Sequence, residues 1–275
     1  DFMKKITKFL RILGPGFVTG AADDDPSGIG TYSQTGAQFG YSQLWTALFS
    51  FPFMAVVQEM CGRIGLVTGR GLSNVIRTHY SRKVLFGSVG LLFIANMVNI
   101  GADLGAMAAT GQLLLGIPFV AWFLVITTVT LLLQILVPYP SYARVLKYLG
   151  LTLFAYIIVA FIVKQPWQHI AIAALVPRFN LSKDYLLNVV AILGTTISPY
   201  LFFWEANQEV EEDFVQHRVQ QYGKGIPKLA VGDIKAMRID NIIGMLFSNT
   251  AMFLIIVNAA STLGAHGIRS ITTAN

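Results

Sequence analysis

The chain has 275 residues, of which 54% are hydrophobic and only 12% are charged, and its formal net charge is +6 at pH 7. This composition excludes a soluble globular domain and a disordered chain, and it predicts an all-α polytopic membrane protein. The single cysteine, Cys61, excludes an intrachain disulfide framework and a metal site built from several cysteines.

Seven apolar stretches are long enough to span a bilayer, which takes about 20 residues. In chain order they are the segments 12–39, 44–67, 84–115, 119–137, 142–163, 186–206 and 239–260. The basic residues before the first segment lead into no small-residue cleavage pattern, so we expect no removable signal peptide.

The positions of the basic residues predict the orientation, because Lys and Arg concentrate in cytoplasmic loops. With the N-terminus inside, 16 of the 20 Lys and Arg residues fall on the inner side and 4 on the outer side. We therefore expect a multi-pass protein of the plasma (inner) membrane with a cytoplasmic N-terminus.

The first segment is interrupted by the acidic stretch Asp23 to Gly28, with the sequence DDDPSG. Each aspartate at the centre of a membrane helix costs roughly 2.5–3.5 kcal/mol, so three of them require a cation, water or protonation. Pro26 and Gly28 add a helix break, which is tolerated at bilayer depth where the freed backbone lines a cavity or binds something. The stretch therefore predicts a cation site, with an extramembrane turn as the alternative.

The sixth segment carries a second interruption, in the sequence GTTISPY from Gly194 to Tyr200. Pro199 removes a helical hydrogen bond next to a small polar patch. Two interrupted segments five spans apart match transporters built from inverted repeats, in which both breaks share a site at the membrane midplane. We therefore predict a first five-span repeat over residues 1–164 and the start of a second over residues 165–275.

Several motifs resemble the natural resistance-associated macrophage protein (NRAMP) family of metal transporters. They are LGPGF at Leu13–Phe17, the pair Asp25-Pro26, GAQFGY at Gly36–Tyr41 and GLVTGR at Gly65–Arg70. The resemblance implies a LeuT-type inverted-repeat fold of eleven or twelve spans, with broken helices one and six. Since this chain stops after the seventh span, the resemblance also implies that C-terminal spans are missing from it.

The resemblance implies metal ligands, and it also shows where this chain departs from the family. Asp25 matches the aspartate of the family's DPGN break, whereas Gly28 stands in place of its asparagine. In the family's GATVMPH motif, Thr195 replaces the carbonyl-donating alanine, Ser198 the ligating methionine and Tyr200 the histidine. The implied metal site is therefore Asp25, Gly28, Thr195 and Ser198.

These departures change the chemistry of the implied site. A methionine thioether is a soft ligand that favours transition metals, whereas oxygen donors and water suit magnesium. Magnesium keeps several waters while one or two carboxylates hold it, so a roomy oxygen-lined site fits that ion. The chain most resembles the NRAMP-related magnesium transporters. We predict a secondary transporter of partly hydrated Mg²⁺, and also of Mn²⁺, that is not an enzyme, takes no cofactor and binds no nucleic acid.

The third span bears on proton coupling. The family carries two acidic residues seven positions apart there; Asp103 keeps the later one and Asn96 replaces the earlier one. Asn96 and Tyr200 are poor proton relays near neutral pH, so we predict transport without tight proton coupling.

Four residues are candidates for the outer shell of the ion or for the vestibule: Asp24, Glu205, Tyr200 and Asp103. We expect Asp24 to face the aqueous vestibule. Asp103 could equally be a structural partner for a buried polar group, and Glu205 could equally be a carboxylate that faces a cavity without contacting the ion.

Other functions stay open at this point. A proton-coupled manganese or iron transporter would carry the sulfur donor and relay residues that this chain lacks, and a cation channel would need no alternating access. A cation sensor that does not transport is a further alternative. The spans contain no paired nucleophile and base, so nothing in them suggests an intramembrane enzyme.

Overall fold

The computed structural model describes residues 14–221 and 225–271, and the start of the predicted segment 12–39 and the basic residues before it lie outside that part. The regular elements of the described residues are helices. They are α1 (Pro15–Asp23), α2 (Pro26–Phe39), α3 (Trp45–Thr68), α4 (Leu72–His79), α5 (Arg82–Leu115), α6 (Phe119–Leu136), α7 (Tyr139–Gly150), α8 (Phe154–Ile162), α9 (Trp167–Leu175), α10 (Lys183–Thr196), α11 (Pro199–Val215) and α12 (Val231–Ala259). A 3₁₀ turn, Leu151–Leu153, joins α7 to α8, and a π-helical turn, Ala260–Gly264, follows α12.

The seven predicted spans are helical over their described residues. Five stretches are long and apolar enough to cross a bilayer: Arg82–Leu115, Phe119–Leu136, Arg144–Ile162, Lys183–Val215 and Val231–Gly264. The other two, α1 with α2 and then α3, are helical but more polar. The connecting helices α4 and α9, of 8 and 9 residues, were not predicted. The repeat boundaries and the cytoplasmic N-terminus stay predictions.

Span one is broken between α1 and α2, as predicted. The helix α1 ends at Asp23, and Asp25 adopts an extended conformation with φ −71° and ψ 170°. The cause is Pro26, the first residue of α2, because proline lacks an N–H and disfavours helical geometry in the residue before it. The Asp25 carboxylate then caps α2 by accepting a hydrogen bond of 2.7 Å from the Gly28 amide.

Span six is broken in the same way. The helix α10 ends at Thr196, and Pro199 is the first residue of α11. The hydroxyl of Ser198, between them, shares its proton between the carbonyl oxygens of Gly194 and Thr195, at 2.9 and 2.7 Å. The hydroxyl thus serves two of the carbonyls that the end of α10 leaves without a helical partner.

The helix α12 is the centre of the bundle and packs on α1, α2 and α3. Its contact with α1 is a contact of backbones. A Cβ atom added to Gly20 would lie 2.2 Å from the Gly244 carbonyl oxygen, and one added to Gly244 would lie 2.1 Å from the Gly16 oxygen. Only glycine lets the two helices approach this closely.

A side chain of α12 also holds the start of α1. The Asp240 carboxylate accepts hydrogen bonds from the Gly14 and Gly16 amides, both at 2.8 Å. These amides are among the donors that a helix N-terminus leaves free, and a negative charge is favourable there. The first half of span one is therefore fixed to α12 at its end as well as along its length.

The buried core lies further along α12, between α2, α3, α9 and α10. Its large fully buried side chains are Tyr32, Leu44, Ile170, Ile192, Met252 and Ile256. In contrast, α5 and α6 pack on each other at the edge, and among their residues only Ala108 is buried. Tyr32 of α2 and Ile192 of α10 both belong to this core, so the two broken spans meet there.

Candidate cation site

The two breaks meet at the Asp25 carboxylate. Its Oδ1 accepts hydrogen bonds from the Ser27 hydroxyl and the Gly28 amide, both at 2.7 Å. Its Oδ2 accepts hydrogen bonds from the Asn99 side-chain amide at 2.9 Å and the Tyr200 hydroxyl at 3.1 Å. Since Asn99 lies on α5 and Tyr200 on α11, one carboxylate joins both broken spans to span three.

Three oxygen atoms surround the space above Gly28. A Cβ atom added to this glycine would lie 3.2 Å from the Asp23 carbonyl oxygen, 3.3 Å from Asp25 Oδ1 and 3.3 Å from Thr195 Oγ1. Thr195 Oγ1 is buried and, among the described residues, has no hydrogen-bond partner. The cleft is therefore lined by a carboxylate, a carbonyl and a hydroxyl, all of which are hard donors.

The side chain of Thr195 lies in this cleft, whereas the resemblance implied that its carbonyl oxygen would bind the metal. That carbonyl instead accepts the hydrogen bond from Ser198. Ser198 is fully buried and its hydroxyl proton is directed back along α10. The next residue, Thr196, lies 3.1 Å from the Tyr32 hydroxyl, which fixes the end of α10 against α2.

A polar network on α5 supports the site. Asp103 accepts a hydrogen bond of 3.0 Å from the Ser27 amide and one of 3.1 Å from Asn99. The structure thus places Asp103 beside the first turn of α2 as a structural partner of it. Sequence reasoning missed Asn99 and Ser27, although Asn99 and Asp103 are four residues apart and so share one helix face.

The two aspartates before Asp25 are buried. Asp23 is 0% exposed, and its Oδ2 accepts a hydrogen bond of 2.8 Å from the Ser248 hydroxyl. Asp24 was expected to face an aqueous vestibule, but it is only 5% exposed. The reason is that α7 and the 3₁₀ turn after it cover this side of the break, at a cavity that Leu149 and Thr152 line together with Asp24.

Glu205 is not at the ion site. It is fully buried, and its Oε2 accepts a hydrogen bond of 2.5 Å from the Thr19 hydroxyl on α1. Its Oε1 lies 3.2 Å from the position of a Cβ atom added to Gly62, next to the Asn241 amide. Glu205 therefore joins α11 to α1, the first half of span one, through Thr19.

No three His, Cys, Asp or Glu side chains converge on one point in residues 14–221 and 225–271. A cation between the breaks would thus be held by one carboxylate with carbonyl, hydroxyl and water oxygens. That donor set suits a hard divalent cation that keeps part of its hydration shell.

Comparison with sequence families gives a match over residues 16–275 to a family described as natural resistance-associated macrophage protein-like. Metal transporter Nramp5 of Oryza sativa subsp. japonica is 29% identical over 205 residues, which cover 71% of this chain and 37% of that protein. Divalent metal cation transporter MntH of Mycobacterium leprae is 27% identical over 263 residues, which cover 94% of this chain and 59% of that protein. The chain spans about half the length of the curated relatives that it matches.

Solved structures share the fold. A crystal structure of a mutant of the Eremococcus coleocola manganese transporter matches with a TM-score of 0.71 at 20% identity, over 93% of this chain and 53% of that one. A second mutant of the same transporter matches with a TM-score of 0.73. The likeness confirms the predicted LeuT-type arrangement with broken helices one and six.

Proposed function

Because the chain belongs to the natural resistance-associated macrophage protein-like (Nramp) family, we propose that the protein transports divalent cations across a membrane by alternating access. We further propose that its main cargo is partly hydrated Mg²⁺, that Mn²⁺ is also carried, and that transport is not tightly coupled to protons. The cation binds between the two breaks, at Asp25 and the cleft above Gly28.

The observation that carries this proposal is the ring of oxygen atoms around Gly28. The Asp23 carbonyl, Asp25 Oδ1 and Thr195 Oγ1 all lie 3.2–3.3 Å from the position that a Cβ atom would occupy. At this position only glycine lets the three oxygens come so close to the backbone. Among the described residues Thr195 Oγ1 is buried without a hydrogen-bond partner, and a coordinated cation would satisfy it.

The choice of Mg²⁺ rests on the kind of donor. Soft sulfur ligands select transition metals, whereas carboxylate, carbonyl and water oxygens suit magnesium and manganese. The hydroxyl of Ser198, at the position of the family's ligating methionine, is a hard oxygen. Magnesium gives up its water reluctantly, so a site that leaves room for water favours it.

The absence of tight proton coupling is proposed from the groups around Asp25. The donors to its Oδ2 are the Asn99 amide and the Tyr200 hydroxyl. Neither is a proton acceptor that exchanges readily near neutral pH, in contrast to a histidine or a second carboxylate. Neither donor to Oδ2 therefore passes a proton on when a cation leaves, and Asp103, the carboxylate on the far side of Asn99, is held by the Ser27 amide.

Proton-coupled manganese transport is the second candidate. The observation that favours it is the name of the solved relatives, which are manganese transporters. The two candidates differ in the preferred ion and in the movement of protons, so one assay compares them.

The test is cation uptake into proteoliposomes that contain the purified protein. Mg²⁺ entry is followed with an internal indicator, with Mn²⁺, Ca²⁺ and Zn²⁺ as competitors and a pH dye in the lumen. We expect saturable Mg²⁺ uptake, competition by Mn²⁺ and no acidification that accompanies uptake. Asp25→Asn should lower uptake at least tenfold, because it removes the charge and keeps the shape.

Asp184→Asn is the matched control, because Asp184 is an exposed aspartate in the first turn of α10, outside the site. Its uptake should equal that of the wild type. Undiminished uptake by Asp25→Asn would refute the site. Lumen acidification in step with Mg²⁺ entry would refute uncoupled transport, and uptake of Mn²⁺ alone would favour the second candidate.

A further inference from the structure

The two oxygens of the Asp25 carboxylate have different surroundings. Oδ1 lies at the cleft above Gly28, together with the Thr195 hydroxyl. Oδ2 instead accepts hydrogen bonds from the Asn99 side-chain amide on α5 and the Tyr200 hydroxyl on α11, at 2.9 and 3.1 Å. A cation in the cleft therefore meets Oδ1 first, and it reaches Oδ2 only if a donor to that oxygen gives way.

Both acceptor positions of Oδ2 are occupied by protein donors. An ionised carboxylate has about four lone-pair sites, which is about two on each oxygen. The Asn99 amide and the Tyr200 hydroxyl take those of Oδ2, and hydrogen bonds to a charged acceptor are stronger than those between neutral groups. A cation that coordinates Oδ2 must therefore break at least one strong hydrogen bond.

The side chain of Asn99 is itself held in place by two further residues. Its amide also donates to Asp103 Oδ2 at 3.1 Å, and its carbonyl oxygen lies 2.8 Å from the Ser27 hydroxyl. Asp103 in turn accepts a hydrogen bond of 3.0 Å from the main-chain amide of Ser27. Asn99 therefore cannot turn away from Asp25 without also losing hydrogen bonds to Asp103 and Ser27.

The other oxygen, Oδ1, gives up a donor more easily. The Ser27 hydroxyl has a single proton and two acceptors within reach, Asp25 Oδ1 at 2.7 Å and the Asn99 carbonyl oxygen at 2.8 Å. When a cation takes a lone pair of Oδ1, this proton can turn to Asn99 and stay hydrogen-bonded. Coordination through Oδ1 thus leaves every donor with an acceptor, whereas coordination through Oδ2 costs a donor its acceptor.

We propose that Asn99 and Tyr200 are positioning residues that restrict Asp25 to coordination through one oxygen, and that this restriction favours Mg²⁺ over Ca²⁺. The inference rests on the proposed function, in which Asp25 holds the transported cation. Ca²⁺ takes about six to eight oxygen ligands and accepts a carboxylate through one or both oxygens, whereas Mg²⁺ demands a nearly ideal octahedron. With Oδ2 occupied, Ca²⁺ loses a ligand that it would use, and Mg²⁺ keeps the geometry that it needs.

The test compares the two cations in Tyr200→Phe, which removes one donor to Oδ2 and keeps the ring. Uptake into proteoliposomes gives the Mg²⁺ concentration for half-maximal uptake. The Ca²⁺ concentration that halves this uptake is measured at low Mg²⁺, so the result does not depend on whether Ca²⁺ is carried. We expect the Ca²⁺ concentration to fall about 2- to 10-fold relative to the Mg²⁺ concentration, which is the effect of about one net hydrogen bond.

A second variant and a control accompany it. Asn99→Ala removes the other donor to Oδ2 and should shift the ratio in the same direction. Tyr185→Phe is the matched control, because the buried Tyr185 hydroxyl donates to the Arg178 carbonyl at the start of α10, away from Asp25. It should keep the wild-type ratio. Since Tyr200→Phe removes a single oxygen atom, it decides the test by itself if thermal unfolding shows that Asn99→Ala is not folded.

The outcomes separate the inference from the proposed function. A purely structural role of the two donors would change both concentrations by the same factor. An unchanged ratio in Tyr200→Phe, or a ratio that moves toward Mg²⁺, would overturn the inference, and it would leave the proposed function standing if Asp25→Asn still lowers uptake. Undiminished uptake by Asp25→Asn would refute the proposed site, and the inference with it.

Discussion

A single methyl group at Gly28 should change the preference of the protein among cations. In Gly28→Ala the new Cβ would lie 3.2 Å from the Asp23 carbonyl and 3.3 Å from Asp25 Oδ1 and Thr195 Oγ1. These contacts are closer than ordinary van der Waals distances, so the methyl group would push the three oxygens apart by a few tenths of an ångström. Overpacking of this kind costs about 1–3 kcal/mol, and we expect about 1–2 kcal/mol of it to appear as weaker cation binding.

That cost corresponds to an increase of about 5- to 30-fold in the Mg²⁺ concentration for half-maximal uptake, since about 1.4 kcal/mol is a factor of ten. The increase should be smaller for Ca²⁺, which accepts irregular coordination, than for Mg²⁺, which demands a nearly ideal octahedron of oxygens. The measurement is uptake into proteoliposomes over a range of concentrations for each cation.

Gly30→Ala is the matched control, because Gly30 lies two residues further along α2 and a Cβ atom added there meets nothing within 4 Å. It should leave both half-saturation constants unchanged. Equal increases for Mg²⁺ and Ca²⁺ in Gly28→Ala, or no increase at all, would refute the reasoning that the spacing of these oxygens sets the selectivity.

Three further predictions concern stability, measured by thermal unfolding in detergent. Gly20→Ala should destabilise the folded protein by about 1–3 kcal/mol or more, because its Cβ would lie 2.2 Å from the Gly244 carbonyl oxygen. Gly87→Ala is the control and should be neutral or stabilising, because its Cβ meets nothing within 4 Å. Equal effects of the two substitutions would contradict the backbone contact. Asp240→Ala should cost about 2–5 kcal/mol, because two amides of α1 lose a charged acceptor, and an unchanged unfolding temperature would exclude this clamp. Tyr32→Phe should cost about 0.5–1.5 kcal/mol through the lost hydrogen bond to the end of α10, and a stabilised variant would count against that bond.

Sequence reasoning located both breaks because proline acts locally. Pro26 and Pro199 disfavour helical geometry in the preceding residue, and each stands beside polar or small residues, unlike Pro52 inside α3, so the ends of α1 and α10 could be predicted. Sequence reasoning missed the helix α9 because no local signal specifies it. Its nine residues are too few to span a bilayer, and its position comes from packing on α3.

The directions of side chains at the break could not be predicted. Asp23, Asp24 and Asp25 lie where the helix stops, so no periodicity assigns each one to a face. Asp24 is buried by α7, a helix more than one hundred residues away in the sequence. Contacts of this kind depend on the tertiary fold and leave no local pattern.

The side of α11 on which Glu205 lies could have been predicted from helix geometry. It follows Tyr200 by five residues on α11, and at 3.6 residues per turn this turns it about 140° away from Tyr200. Two residues on nearly opposite faces of a helix cannot line one small site. The helical angle alone would have moved Glu205 from the ion site to the Thr19 side.

Because their backbones are in contact, α1 and α12 move together. A movement of α1 alone would separate Gly16 and Gly20 from Gly244 and break the hydrogen bonds of two α1 amides to Asp240. The gap at Asp24 and Asp25 is therefore not a free joint for α1. A movement of α1 would therefore carry α12 with it, along the surface of α7 that α1 contacts.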